Sequence, residues 1–367
     1  MLRAGFIGFG RMGITHFSIL NSHPEVRIEA VCDASTTMMN ILKSYVPVKT
    51  YTNAKEMLDS QKLDFVVVST PSDSHGALVL DAVKRNLHVF AEKPFVLSIE
   101  EGEKILTQLH GKTLVNQVGY VNRFNEVFEE VKNLLEAGTI GEIKSFSSEM
   151  YAATVLKETK GSWRSSKKTG GGCLYEIGSH CIDLVVYLLG NPDRVGGSVM
   201  QFVYSRDVDD IVTSTLIYDG RFAGTVHMNW SDEAYRKPTN IIRVFGSKGK
   251  IVADKHAYRI YLKKDRPDLG FHSGWNTRYV TEFAKSVRFY LRGNEFTRQL
   301  DYFVENILSG AKNNRSSFSE AMKTDIVMDE IIRDSSALSS SPFANSPQQA
   351  VPTIAQKKKS FFQKIIS

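Results

Sequence analysis

The stretch GFIGFGRMG constrains this chain more than any other, because it sets Gly8, Gly10 and Gly13 in the pattern G-x-G-x-x-G between an apolar run and a segment of helical period. Each glycine has a physical task there. The first permits a tight turn, the second lets a pyrophosphate approach the backbone, and the third lets the helix pack close to the sheet, with the phosphates on the positive helix end. Phe9, Arg11 and Met12 fill the loop and count with it as cofactor-binding. The pattern also occurs at structural strand-to-helix turns, so the next strand decides. VRIEAVCD ends in Asp33, twenty residues after Gly13, where a carboxylate accepts hydrogen bonds from ribose hydroxyls. The same charge repels a 2′-phosphate, and Ala34, Ser35 and Thr36 supply no cation to offset it; Lys43 lies one or two helical turns further on. The expected cofactor is NAD, with NADP the weaker candidate.

The first 120 residues keep this rhythm. Runs at AGFIGF, VRIEAVCD, DFVVVST, HVFAEK and TLVNQVGY alternate with helical segments, which implies parallel strands joined by right-handed crossovers in a doubly wound α/β sheet. Then the pattern changes. After the helical NEVFEEVKNLLEAG come strand-like IKSFSSEMYAAT, VGGSVMQFVYS, DIVTSTLIYDG, RFAGTVHMNWS, TNIIRVFGSKGKIVAD and YRIYLKK, most joined by turn signals such as DG and SKGK, an order that argues for an antiparallel sheet. Two helical segments, EFTRQLDYFVENILSG and SFSEAMKTDIVMDEIIRDS, close the folded part. The expected division is residues 1–120 as the NAD-binding domain, 121–334 as a substrate-binding and oligomerisation domain, and 335–367 as a flexible tail rich in Ser, Pro and Gln that ends in basic KKKSFFQKIIS.

Composition excludes more than it assigns. Hydrophobic residues at 42% and charged residues at 23% match a folded globular chain, no apolar run approaches the roughly 18 residues of a membrane span, and the opening residues do not read as a secretory signal. A cytoplasmic location is expected, with weak peripheral membrane contact by the tail as the alternative to a solvated terminus. The formal charge of +6 favours a phosphorylated or acidic ligand, but part of it sits in the tail, and no basic stripe with interleaved aromatics suggests nucleic acid. Cys32, Cys173 and Cys181 have neither disulfide nor zinc spacing and read as small buried hydrophobes, so no metal is expected.

Three further stretches carry chemistry. DFVVVSTPSDSH closes a strand with Ser69, Thr70 and Pro71, followed by His75, in the crevice where such sheets bind ligands. HVFAEKPF delivers Glu92 and Lys93 at a strand's carboxyl end, where a cation polarises a substrate oxygen at the nicotinamide end of the cofactor. GGGCLYEIGSHCID frees the backbone at three glycines and then spaces Glu176, His180 and Asp183 by four and three, which is one face of a helix.

With these segments, and with VGYVNRFN, WRSSKKTGGGCLYEIGSHCID and FGSKGKIVAD, the chain resembles the glucose-fructose oxidoreductase/inositol dehydrogenase/MocA family from about residue 2 to 335. The family's second domain carries G-G-G-x-L-x-D-x-G-x-H-x-x-D, and this sequence departs once, with Glu176 where the family has Asp. The resemblance implies a Rossmann domain followed by an α/β domain with a large, mostly antiparallel sheet, whose outer face makes homodimers or homotetramers. It implies a catalytic set of Lys93, Glu176 and His180. In that reading His180 is the general base toward a substrate hydroxyl, titrating near working pH, Lys93 stabilises the developing oxyanion, and Glu176 bonds the substrate or orients the base. Tyr120, Asn122, Arg123, Trp163 and Arg164 join Glu176 and His180 as substrate-binding candidates, with Lys167, Lys168, Trp230 and Arg236 behind them.

The implied activity is NAD-dependent hydride transfer between nicotinamide and a ring hydroxyl or ketone of a sugar. A nucleotide sugar comes first, because several cations suit a phosphate or carboxylate. A cyclitol dehydrogenase of the inositol type and a non-catalytic NAD-binding regulator are the alternatives. Glutamate is one methylene longer than aspartate, and a shift of about 1 Å at a catalytic group costs on the order of a hundredfold in rate. Glu176 therefore implies a reshaped pocket or a purely positioning role.

Overall fold

A computed structural model of the chain describes residues 1–158, 163–311 and 314–339. In the N-terminal half, β1 (Leu2–Ile7), α1 (Arg11–Asn21), β2 (Val26–Cys32), α2 (Thr36–Tyr45), β3 (Lys49–Tyr51), α3 (Ala54–Ser60), β4 (Phe65–Val68), α4 (His75–Lys84), β5 (His88–Ala91), α5 (Ile99–Leu109) and β6 (Asn116–Val118) alternate. The six strands form one sheet in the order β3-β2-β1-β4-β5-β6, with every pair parallel. Helices cover both faces, which is why β4 can be a continuous apolar run, FVVV, buried at all four positions. The three-residue β3 escaped the sequence reading because it is too short to show an alternation.

The second half contains α6 (Glu126–Glu136), β7 (Ile143–Tyr151), α7 (Ser179–Leu189), β8 (Arg194–Gln201), β9 (Ile211–Tyr218), β10 (Phe222–Asn229), β11 (Thr239–Gly246), β12 (Gly249–Ala253), β13 (Ala257–Leu262), β14 (Gly274–Tyr279), α8 (Asn294–Ser309) and α9 (Phe318–Ser339). Its sheet runs β14-β13-β12-β11-β7-β10-β9-β8. It is antiparallel throughout except where β10 lies parallel to β7. The missed edge strand β14 alternates Trp275, Thr277 and Tyr279 outward with Asn276 and Arg278 between them, a period-2 signal that was present in the sequence. One sheet face packs on α6, α7 and α9 around Phe128, Leu184 and Met328. The stretch Lys167–Leu189 has the length and hydropathy of a membrane span, but 72% of its apolar window is buried in this core.

The two halves are not sequential blocks. α8 returns to the first sheet, where Leu300, Phe303 and Val304 join the hydrophobic cluster of Phe65, Val67 and Phe90. The ring of Phe303 meets Phe65 at 5.5 Å and Phe90 at 5.8 Å, both edge-on. Without this helix the α1 side of β4 and β5 would face water. The start of α9 covers the opposite face, with Phe318 stacked on Phe95 at 4.4 Å. The expected tail boundary at 335 falls inside α9, which continues to Ser339, and the rest of the tail lies outside the described residues.

Because Phe303 is fully buried, Phe303→Ala is expected to lower unfolding free energy by about 3–5 kcal/mol in urea denaturation. A loss below about 1 kcal/mol would mean that α8 does not complete the N-terminal core.

Candidate active site

The glycine loop has the shape a dinucleotide requires. Gly8 sits at φ +93°, and a side chain there would press on the backbone of Ser69 and Thr70. A Cβ on Gly13 would collide with the carbonyl oxygen of Gly8, whereas a Cβ on Gly10 would have nothing within 4 Å. The space beside Gly10 faces the start of α1, which has no side-chain cap and no acid in its first turn, so its free N–H groups suit a pyrophosphate. The Asp33 carboxylate accepts from Phe9 N–H at 2.6 Å and Ser35 N–H at 2.8 Å. Each oxygen keeps lone-pair capacity for a ribose hydroxyl. On these observations the loop fits NAD. Ser69 Oγ donates to Gly8 O at 2.8 Å and joins the two strand ends that line the crevice.

His75 has a different place from the one expected. It is buried, with Nδ1 2.9 Å from Pro94 O and Nε2 2.9 Å from Thr70 O, so it ties the loop after β4 to the loop after β5 and presents no free ring nitrogen to a cofactor. Glu92 also points inward, with Oε1 2.6 Å from Nε2 of His16, a buried partner that sequence reasoning missed. Burial pushes the Glu92 carboxyl up, but His16 and the adjacent Lys93 charge outweigh it and hold the group below its ordinary range.

Lys93, at the end of β5, crosses to the other half. Its Nζ donates to the carbonyl oxygen of Glu176 at 2.6 Å and lies 3.5 Å from Glu176 Oε2. Glu176 occupies a π-helical turn, Leu174–Gly178, that runs into α7, a distortion found at functional sites. Its other oxygen takes Arg164 Nη2 at 3.2 Å, and the Arg164 guanidinium lies 4.6 Å from the Trp163 ring. Burial raises the Glu176 carboxyl, yet Lys93 and Arg164 together bring it down to about 2. His180 follows one turn later, in the first turn of α7. Burial, with the Lys93 charge adding to it, lowers its imidazole to about 3, which corrects the expectation that it titrates near working pH. At neutral pH the ring is uncharged, and its Nδ1 is buried without a hydrogen-bond partner among the described residues.

Several expected substrate contacts lie in the core. Tyr120 is 0% exposed, and its hydroxyl points to Asp325 at 3.5 Å. Arg123 is 1% exposed; Nε and Nη2 bond Asp183 at 3.0 and 2.7 Å, and Nη1 donates to Arg315 O. Asp183 is thus engaged behind the helix. Trp230 is 0% exposed and donates its indole N–H to Asp210 at 2.6 Å. Asn122, Trp163 and Arg164 are partly exposed, while Lys167, Lys168 and Arg236 are on the surface. The three cysteines are free and buried. Among the described residues no cluster of His, Cys, Asp and Glu is arranged to hold a metal ion.

Two family models match this chain: an oxidoreductase family with an NAD-binding Rossmann fold over residues 2–120, and the GFO/IDH/MocA C-terminal domain over residues 128–252. Myo-inositol 2-dehydrogenase of Thermotoga maritima is 25% identical over 316 residues, covering 84% of this chain and 89% of the relative. Among solved structures, levoglucosan dehydrogenase in complex with NADH and levoglucosan superposes with a TM-score of 0.81 at 20% identity, covering 92% of this chain and 97% of that one. The WlbA dehydrogenase from Bordetella pertussis, in complex with NADH and UDP-GlcNAcA, gives 0.75 at 19% identity with the same coverage. At those identities the two structures speak to fold.

Gly10→Ala meets only open space in the protein alone. It is expected to leave unfolding free energy within about 1 kcal/mol while weakening NAD binding about tenfold or more by titration calorimetry. Gly13→Ala must displace the loop itself, and equal stability of the two variants would contradict this geometry. His180 sets a second dependence. The unfolded imidazole binds a proton below about 6.5 and the folded one only near 3, so this contribution to stability is present above 6.5 and is lost as pH falls toward 3. Denaturation at about pH 7 and about pH 4 should differ by up to roughly 3 kcal/mol from this group, a difference that shrinks in His180→Gln.

Proposed function

Because the chain belongs to the glucose-fructose oxidoreductase/inositol dehydrogenase/MocA family of oxidoreductases, with an NAD-binding Rossmann domain, we propose that it is an NAD-dependent dehydrogenase acting on a ring hydroxyl of a sugar. The observation that carries this reading is the contact of Lys93 Nζ with the Glu176 carbonyl, which brings the cation at the end of β5 to the helix that bears His180. In the proposed roles, uncharged His180 accepts the proton of the substrate hydroxyl. Lys93 stabilises the oxygen as negative charge builds on it. Glu176 holds Lys93 and Arg164 in place as their shared counter-charge. NAD, when bound, supplies the acceptor for the hydride that leaves the same carbon.

A nucleotide sugar remains the first substrate class. Arg164 beside Trp163, with Lys167 and Lys168 on the next turn, offers a ring to stack on and cations for a phosphate or carboxylate. The similarity to a myo-inositol 2-dehydrogenase makes a cyclitol the second reading. A non-catalytic NAD-binding role is disfavoured by the presence of both Lys93 and His180. Self-association is proposed through the outer face of the large sheet, where Phe245, Lys250, Tyr261 and Trp275 line up across neighbouring strands and the three aromatics are 48%, 39% and 54% exposed.

The test is a panel of nucleotide sugars, sugars and cyclitols with NAD, read by absorbance of the reduced nicotinamide. Lys93→Ala and His180→Ala should each lower kcat by on the order of a hundredfold or more while NAD affinity changes little. Full turnover in either variant would place the chemistry elsewhere.

A further inference from the structure

Asp325 belongs to none of the motifs read above, yet it lies between the two catalytic candidates. It sits on α9 at 4% exposure. Its Oδ2 accepts from the backbone N–H of Val96 at 3.1 Å, three residues beyond Lys93. Its Oδ1 lies 3.5 Å from the hydroxyl of Tyr120, whose ring meets the His180 imidazole edge-on at 6.3 Å. The preceding residue, Thr324, donates to Asp183 Oδ1 at 3.2 Å, three residues after His180 on α7. One turn of α9 therefore contacts the loop behind Lys93, the ring behind His180 and the helix that carries His180.

We propose that Asp325 is a positioning residue for hydride transfer, holding Lys93 in register with His180; this rests on the catalytic roles assigned above. The Arg123 guanidinium is directed to Asp183 and Arg315, and among the described residues no cation pairs with Asp325. Burial, reinforced by the Asp183 charge, pushes the Asp325 carboxyl well above the ordinary carboxylate range. One carboxyl oxygen accepts from the Val96 N–H and the other from the Tyr120 hydroxyl. Asparagine has the same shape and keeps an oxygen for the Val96 N–H while its amide N–H can donate to the Tyr120 oxygen, whereas leucine fills the space and leaves both partners unbonded.

The experiment compares Asp325→Asn, Asp325→Leu and Tyr120→Phe in the full chain loaded with NAD. It reads kcat and KM on the substrate found by the panel, the nitrogen-15 resonances of His180, and the carboxyl carbon-13 resonance of Asp325 in the parent protein. Followed across pH, the Asp325 resonance should titrate with a midpoint above that of an unfolded aspartate. Asp325→Asn should keep kcat within about threefold, and Asp325→Leu should lower kcat about tenfold or more, with NAD affinity within about threefold and shifted His180 resonances. An Asp325 midpoint at or below the ordinary aspartate value, an Asn variant as impaired as the Leu variant, or a Leu variant with full kcat would each overturn the proposal. If the Leu variant does not fold, the Asp325 resonance and the Asn variant decide, and Tyr120→Phe must move the His180 resonances. Turnover that survives Lys93→Ala would overturn the catalytic assignment and this proposal together, whereas the other adverse outcomes overturn only the role of Asp325.

Discussion

The site depends on a charge pair sealed away from water. Arg123 and Asp183 are 1% and 0% exposed, and taking two such ions out of solvent costs several kcal/mol each unless their hydrogen bonds are complete. Here they are nearly so, with two guanidinium nitrogens on the carboxylate and the third on the Arg315 carbonyl. These residues come from the segment leaving the first sheet, from α7 and from the stretch leading into α9. A shift of any one of them would strand a buried charge, so the three elements hold one arrangement. Lys93 reaches Glu176, on the turn before His180, across that joint.

Around Glu176, electrostatics divides the labour. Glu176 touches a cation of each half, Lys93 at 3.5 Å and Arg164 at 3.2 Å, and so remains ionised in spite of burial. The added methylene that distinguishes it from the family's aspartate lengthens the reach of a carboxylate that here spans two cations. His180 answers to the opposite balance: burial and a nearby positive charge both disfavour its protonated form. The same ammonium therefore keeps one neighbour charged and the other neutral.

Much of this was legible one residue at a time. The glycine loop, Asp33 and the cation closing β5 were readable because each depends on a local steric or positional rule. Tyr120, Arg123 and Trp230 were read toward the substrate and lie in the core, since polarity in a sequence does not reveal direction. Their partners, Asp325, Asp183 and Asp210, are distant in the chain, and a buried polar group is stable only with such a partner. His16 carried a weak signal, three residues past Gly13, but its role appears only beside Glu92. The edge strand β3 was missed because three residues are too few to alternate, and β14 was missed although its alternation was there to read.

The sequence by itself determined the class of the fold, the turn that admits a dinucleotide and the residue types available for chemistry, because hydrophobic period and backbone sterics act over a few positions. Only the tertiary structure decided that α8 and α9 wrap back onto the first sheet, which polar side chains point inward, and which groups are charged. Those outcomes depend on burial and on charges brought close from far along the chain. The energy of an ion or a hydrogen bond is set by that surrounding medium.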